Sequence, residues 1–281
     1  MNGQASRIIQ LSRMAGRENN LPVSKIISVC SGKGGTGKSF FAANFAYTLA
    51  RLGKKVLLID FDLNFSNLNI LLNRTTDNFL SEFFEKKKSL EELVFSYSAN
   101  LHFIFGDSGR EDHPHVNRDL LDYFFFALDR LATKYDYFIL DSAAGADELT
   151  LYQLSKSNFN ILLTSPEPTA IMDAYAVIKL LKNEGSSANN LVVLNKCSNA
   201  EEAKNSFSNL SMASKHFLGI EPNFLGWISF SNAIHQSILN QELYLRSTPQ
   251  SRTAEEISSI AERFESIATW LIMTKDTAET V

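Results

Sequence analysis

Long apolar runs are missing from this 281-residue chain. No stretch of about 18 apolar residues occurs and the N-terminus carries no apolar signal core. The expectation is a cytoplasmic protein whose only membrane contact would be peripheral. Cysteine is almost absent. Cys30 and Cys197 are too few for a disulfide framework and lack metal-ligand spacing, and each falls at the end of an expected strand, where a small buried thiol fits. Neither sign of charge dominates: 27 Lys+Arg stand against 31 Asp+Glu, a formal net charge of −4. A general positive field for coating nucleic acid is thereby disfavoured, and nucleic acid is not an expected partner. Internal repeats and low-complexity tracts are lacking as well. What remains is a chain with 44% hydrophobic residues, enough to bury the core of one α/β body of this size.

Three stretches are expected. Residues 1–22 form an amphipathic arm, with Arg7, Arg13 and Arg17 against Glu18 and with Ile8, Leu11 and Ala15 at helical spacing, closed by the break at Leu21-Pro22. Residues 23–275 form one domain, and 276–281 a tail. Within the domain, apolar runs at 26–30, 55–60, 101–105, 137–141, 159–164, 191–195 and 224–230 read as strands. Helices are expected at about 117–134, 147–156, 168–183 and 200–217, and a last one at about 253–273. Its stripe of Ile257, Ile260, Phe264, Ile267 and Leu271 reads as core packing before it reads as a membrane anchor. Such alternation predicts a three-layer α/β fold, a mostly parallel central sheet with helices on both faces.

The chemistry concentrates in SGKGGTGKS at 31–39, which follows one expected strand and opens a helix. Gly34, Gly35 and Gly37 allow a tight turn with N–H groups pointing inward, and the helix adds its positive end. In this Walker A pattern Lys38 reaches the β- and γ-phosphates of a nucleotide, and the Ser39 hydroxyl ligates Mg²⁺. Lys33 is an extra cation that cradling phosphate within one chain does not require. Downstream, Asp60 and Asp62 follow a strand on the loop side, where carboxylates can handle Mg²⁺ or water; turn-capping aspartates are the alternative reading. YFILDSAAGAD at 137–147 leads into Asp141, which can hold a Mg²⁺-bound water, and into Gly145, suited to close approach of the γ-phosphate. Asn195 ends a strand with a donor and an acceptor for a base edge; alone it would read as a turn residue.

These motifs over about 25–265 resemble the deviant Walker A ATPases, the MinD/ParA group. The resemblance implies ATP and Mg²⁺ as ligands and assigns the nucleotide to Gly32, Lys33, Gly34, Gly35, Thr36, Gly37, Lys38, Ser39 and Phe40. It implies that Lys33 reaches the partner's nucleotide across an ATP-dependent homodimer. Asp62 then matches the aspartate that polarises the attacking water, with Asp60 its strand-end partner, giving Lys33, Lys38 and Asp62 as catalytic residues. Ser39, Asp62 and Asp141 would serve the metal, the aspartates through water, and Asn195 would select adenine. Two departures stand out. Ala143 replaces the proline of the group's switch II, and Gly226 to Ser231 lacks the proline of its second base-contacting segment, from which only Ser229 is carried over.

Within the group, SPEPTAIMDAYAVIKLL at 165–181, the segment 90–109 and the arm resemble the FlhG (FleN, YlxH) branch, regulators of flagellar number and placement. That implies a slow regulatory ATPase working with an FlhF-like SRP-type GTPase and flagellar basal-body components. Gln4, Ala5 and Ile8 match the branch's activating motif, whereas its leading acid and closing arginine are absent. Other readings are a MinD division-site regulator, a ParA-type partitioning ATPase, and, from a different class, a scaffold that binds ATP without turnover.

Overall fold

Aliphatic runs bounded by turns extend into the strands of one sheet. The computed structural model describes residues 25–62, 66–107 and 114–278, with backbone alone from 271 onward. The strands are β1 (Lys25–Ser31), β2 (Val56–Phe61), β3 (Phe95–Ser96), β4 (Leu101–Ile104), β5 (Tyr137–Ala144), β6 (Phe159–Thr164), β7 (Asn189–Cys197) and β8 (Asn223–Ser229). Their order across the sheet is β3-β4-β2-β5-β1-β6-β7-β8. Among the described residues only the β3–β4 pair is antiparallel. The arm expected at 1–22 lies outside the described residues, as do 279–281 of the expected tail.

Parallel neighbours require crossovers, which helices supply. These are α1 (Lys38–Arg51), the short α2 (Leu68–Leu71), α3 (Leu80–Phe84) and α4 (Leu90–Leu93), then α5 (Arg118–Asp129), α6 (Glu148–Ser155), α7 (Pro168–Asn183) and α8 (Ala200–Leu218). After β8 come α9 (Asn232–Leu239), α10 (Tyr244–Ser247) and the long α11 (Arg252–Ala278). Local chemistry fixes several starts. Asn117, Asp147 and Asn199 accept N–H bonds from the first turns of α5, α6 and α8, and Pro168 opens α7 with a preset φ. The expected strands and the helices at 117–134, 147–156, 168–183 and 200–217 are present to within a few residues. The last helix runs through Ala278, beyond the end expected at 273.

Side-chain alternation divides the core into two layers. Ile27, Val29, Leu58, Ile139, Ile161 and Val193 face α1 and α11. Leu57, Ile59 and Leu140 face α3 to α5, while Cys30, Leu162 and Val192 face α6 to α8. Both cysteines are buried and free, as expected. Phe264 of α11 meets Phe45, Tyr137 and Phe159 edge-on at 5.5, 5.6 and 5.1 Å, so the stripe is core at Ile257, Ile260 and Phe264, with Ile267 partly buried against it; the Leu271 side chain lies outside the described residues. Among the described residues no helix is long and apolar enough to cross a membrane. The sheet delivers the loop after β1, the end of β2 and the end of β5 to one edge, flanked by the ends of β6 and β7.

Candidate nucleotide site

The loop after β1 turns through two left-handed glycines, Gly35 at φ +74° and Gly37 at φ +97°. Gly37 is also the N-cap of α1, so no side chain caps that helix, and its first turn carries no acid. Its leading N–H groups are left for an external acceptor, the arrangement an anion requires. Gly32 is needed for a different reason. A Cβ there would stand 2.5 Å from the backbone oxygen of Asp173 and 2.6 Å from its carbonyl carbon, so α7 lies directly on the loop's first limb. Gly34 has no neighbour within 4 Å of such an atom.

Around this loop the side chains are arranged by charge. Lys33 Nζ lies 2.9 Å from Glu167 Oε2, at the start of α7, and both groups are exposed. Lys38 lies close enough to Asp141 and Cys30 to draw both toward their ionised forms. Ser39 stands beside Asp141 and draws its carboxyl in the same direction. The Phe40 side chain points away from the loop, buried edge-on to Tyr244 at 5.8 Å, so this residue offers the site only its backbone.

Asp60 and Asp141 are register partners at the ends of β2 and β5, and both are fully buried. Asp60 is occupied by its own chain: it accepts from Ser66 Oγ and from the N–H groups of Asp62, Asn67 and Leu68. Burial raises its carboxyl to about 6, with those bonds opposing. Asp141 is the less satisfied of the two. Burial, then the charge of Asp60, pushes it up to about 8. Its Oδ1 has no partner, nor has the Thr36 hydroxyl or that of Ser142. Orphaned buried oxygens at a helix N-terminus, next to a serine and a lysine, fit a site for a divalent cation. Asp62 sits half-buried just beyond β2. Gly145 adopts φ +96° and donates its N–H to Ser31 O at 2.9 Å, tying the segment after β5 to the base of the phosphate loop.

Asn195 and Ser229 are engaged within the protein. Asn195 Nδ2 donates to Thr36 O at 2.7 Å and its Oδ1 accepts the Lys196 N–H at 2.9 Å, leaving one N–H and one lone pair for a base. Ser229 donates through both N–H and Oγ to Glu256 Oε2, each at 2.9 Å. Four contributors escaped the sequence reading: Glu167 on Lys33, Ser66 on Asp60, Glu256 on Ser229, and Lys196, whose Nζ lies 2.8 Å from Gly35 O. Only Lys196 had a local signal, its place directly after Asn195.

Known proteins are similar to this one over most of the chain. Residues 24–194 match the AAA domain family. The antiactivator FleN of Pseudomonas aeruginosa is 26% identical over 242 residues, 86% of each chain. The flagellum site-determining protein YlxH of Helicobacter pylori is 29% identical over 266 residues, 93% of this chain and 90% of its own. Among solved structures, the septum site-determining protein MinD of Pyrococcus horikoshii, complexed with Mg-ADP, superposes with a TM-score of 0.72 at 24% identity, covering 87% of this chain and 97% of its own. A phosphate loop in this fold, across the full matched span, makes the chain a member of the AAA domain family and an ATP-binding, MinD/ParA-type P-loop ATPase that uses Mg²⁺, homologous to FleN and YlxH.

Proposed function

We propose that this ATPase regulates flagellar number or placement as an ATP-dependent homodimer that hydrolysis switches off. The similarity to YlxH and FleN along nearly the whole chain carries this reading, since both are named for flagellar control or antiactivation. Lys38 and the N–H groups of the loop bind the β- and γ-phosphates. Ser39 and Asp141 would hold Mg²⁺, whose charge would offset that of the phosphates. Asp62 orients and polarises the attacking water. Lys33 exchanges Glu167 for the partner's nucleotide when two copies meet. Asn195 spends its remaining donor and acceptor on adenine, and Ser229 is the second residue assigned to the base. The protein acts in the cytoplasm, with peripheral membrane contact as a further expectation. Its partners are an FlhF-like SRP-type GTPase and basal-body components, and the arm at 1–22 is the segment that meets the GTPase.

Counting flagella in a deletion strain tests the role: altered number or position is expected, and unchanged flagellation refutes it. Light scattering with ATP tests the dimer, which Lys33→Ala should abolish while still binding ATP. Phosphate release should fall to background in Asp62→Ala. Removing residues 1–20 should leave basal turnover intact and abolish stimulation of an FlhF-like GTPase.

A further inference from the structure

Three carbonyls of the phosphate loop are held from outside the loop's own backbone. Ser31 Oγ donates to Lys33 O at 2.7 Å, Lys196 Nζ to Gly35 O at 2.8 Å, and Asn195 Nδ2 to Thr36 O at 2.7 Å. In a planar trans peptide the C=O and the following N–H point to opposite sides. Drawing the Gly35 carbonyl toward β7 therefore turns the Thr36 N–H the other way, and holding the Thr36 carbonyl does the same for the Gly37 N–H. Successive donors are set before any anion arrives.

Lys196 bears the only formal charge among the three holding groups. The chain turns through φ +62° at this residue, a left-handed conformation that lysine rarely adopts. The turn coincides with the break in β7–β8 register between Leu194 and Cys197. Lys196 N–H also fixes Asn195 Oδ1, which leaves Asn195 Nδ2 facing Thr36. One residue thus braces two adjacent peptides, one through its ammonium and one through its neighbour.

We infer that Lys196 is a positioning residue for the polyphosphate: its ammonium, seated on the Gly35 carbonyl, aims and polarises the Thr36 N–H toward bound phosphate. A cation on the oxygen of an amide withdraws electrons through the peptide and strengthens its N–H as a donor. This deepens the ATP-binding assignment and rests on it.

Calorimetric titration of the full chain with tripolyphosphate, ATP and adenosine tests it, using wild type, Lys196→Met and Lys196→Arg. Lys179→Met, at an exposed lysine of α7, sets the baseline for losing one positive charge. Lys196→Met should weaken tripolyphosphate and ATP about tenfold, as for a charge-assisted hydrogen bond. It should leave adenosine unchanged, and Lys196→Arg should recover most of the loss. Unchanged tripolyphosphate affinity in Lys196→Met overturns the inference. So does a loss confined to ATP and adenosine, which would put the side chain on the base. An equal loss in Lys179→Met, or no recovery in Lys196→Arg together with a lowered melting temperature, overturns it too. Failure of wild type to bind either ATP or tripolyphosphate would instead refute the nucleotide assignment itself.

Discussion

Two glycines of the same loop should respond differently to one added methyl group. At Gly32 a Cβ would sit 2.5 Å from Asp173 O, 2.6 Å from its carbonyl carbon and 2.7 Å from its Cβ. Ordinary carbon contacts begin near ~3.5 Å, so the loop and α7 must part by roughly 1 Å. Two of those three atoms are backbone, inside a helix packed on β6 and α8, and no flexible side-chain tip can yield. Overpacking of this kind costs about 1–3 kcal/mol. For a chain of this size that lowers the melting temperature by roughly 2–12 °C. At Gly34 the same atom meets nothing within 4 Å and no left-handed φ is required. Gly34→Ala should therefore melt within about 1 °C of wild type, because no named destabilising mechanism applies. Differential scanning calorimetry without nucleotide reads both values, and ATP titration should show weaker binding in Gly32→Ala as the first limb shifts. Equal melting temperatures for the two variants would refute the packing of α7 on the loop.

Asp141 gives a pH dependence with a definite sign. A carboxyl whose proton is held more tightly in the fold than in the unfolded chain, about 8 against 3.8, adds stability below the unfolded value and loses it as pH rises through about 8. Denaturant titrations without Mg²⁺ and nucleotide should show stability declining across that window, with Asp141→Asn flattening the decline; an unchanged slope in the variant counts against the buried pair. Phe264→Ala should cost about 3–5 kcal/mol in the same assay, because three edge-on rings lose their common partner. A loss under about 1 kcal/mol would mean α11 is not integral to the core.

What the sequence reveals depends on the range of the interactions involved. The runs ending in Asp60, Asp141 and Asn195 announce themselves because buried parallel strands are continuously apolar. GKGGTGKS declares its turn and helix together. By contrast α2, α3, α4 and α10 are four or five residues long, too short for a helical period, and β3 pairs over only two residues. The requirement at Gly32 comes from Asp173, far along the chain, and Glu167 reaches Lys33 across 134 positions. Asp60 has the expected neighbourhood but a more local occupation than its position at the end of β2 implies: its acceptor sites are taken by donors from Asp62, Ser66, Asn67 and Leu68.

The place of β1 in the sheet bears on how the molecule is made. This strand is translated before every other strand of the sheet, yet its two neighbours, β5 and β6, begin only at Tyr137 and Phe159. At synthesis rates of roughly 5–20 residues per second, about 5–20 s pass between completion of β1 and emergence of its first sheet partner. Until then the nascent phosphate loop has no neighbouring strand to brace it, and Ser31 O lacks the Gly145 N–H that closes its base. Nucleotide therefore cannot template the early chain. It can select the sheet only after β5 and β6 have left the ribosome.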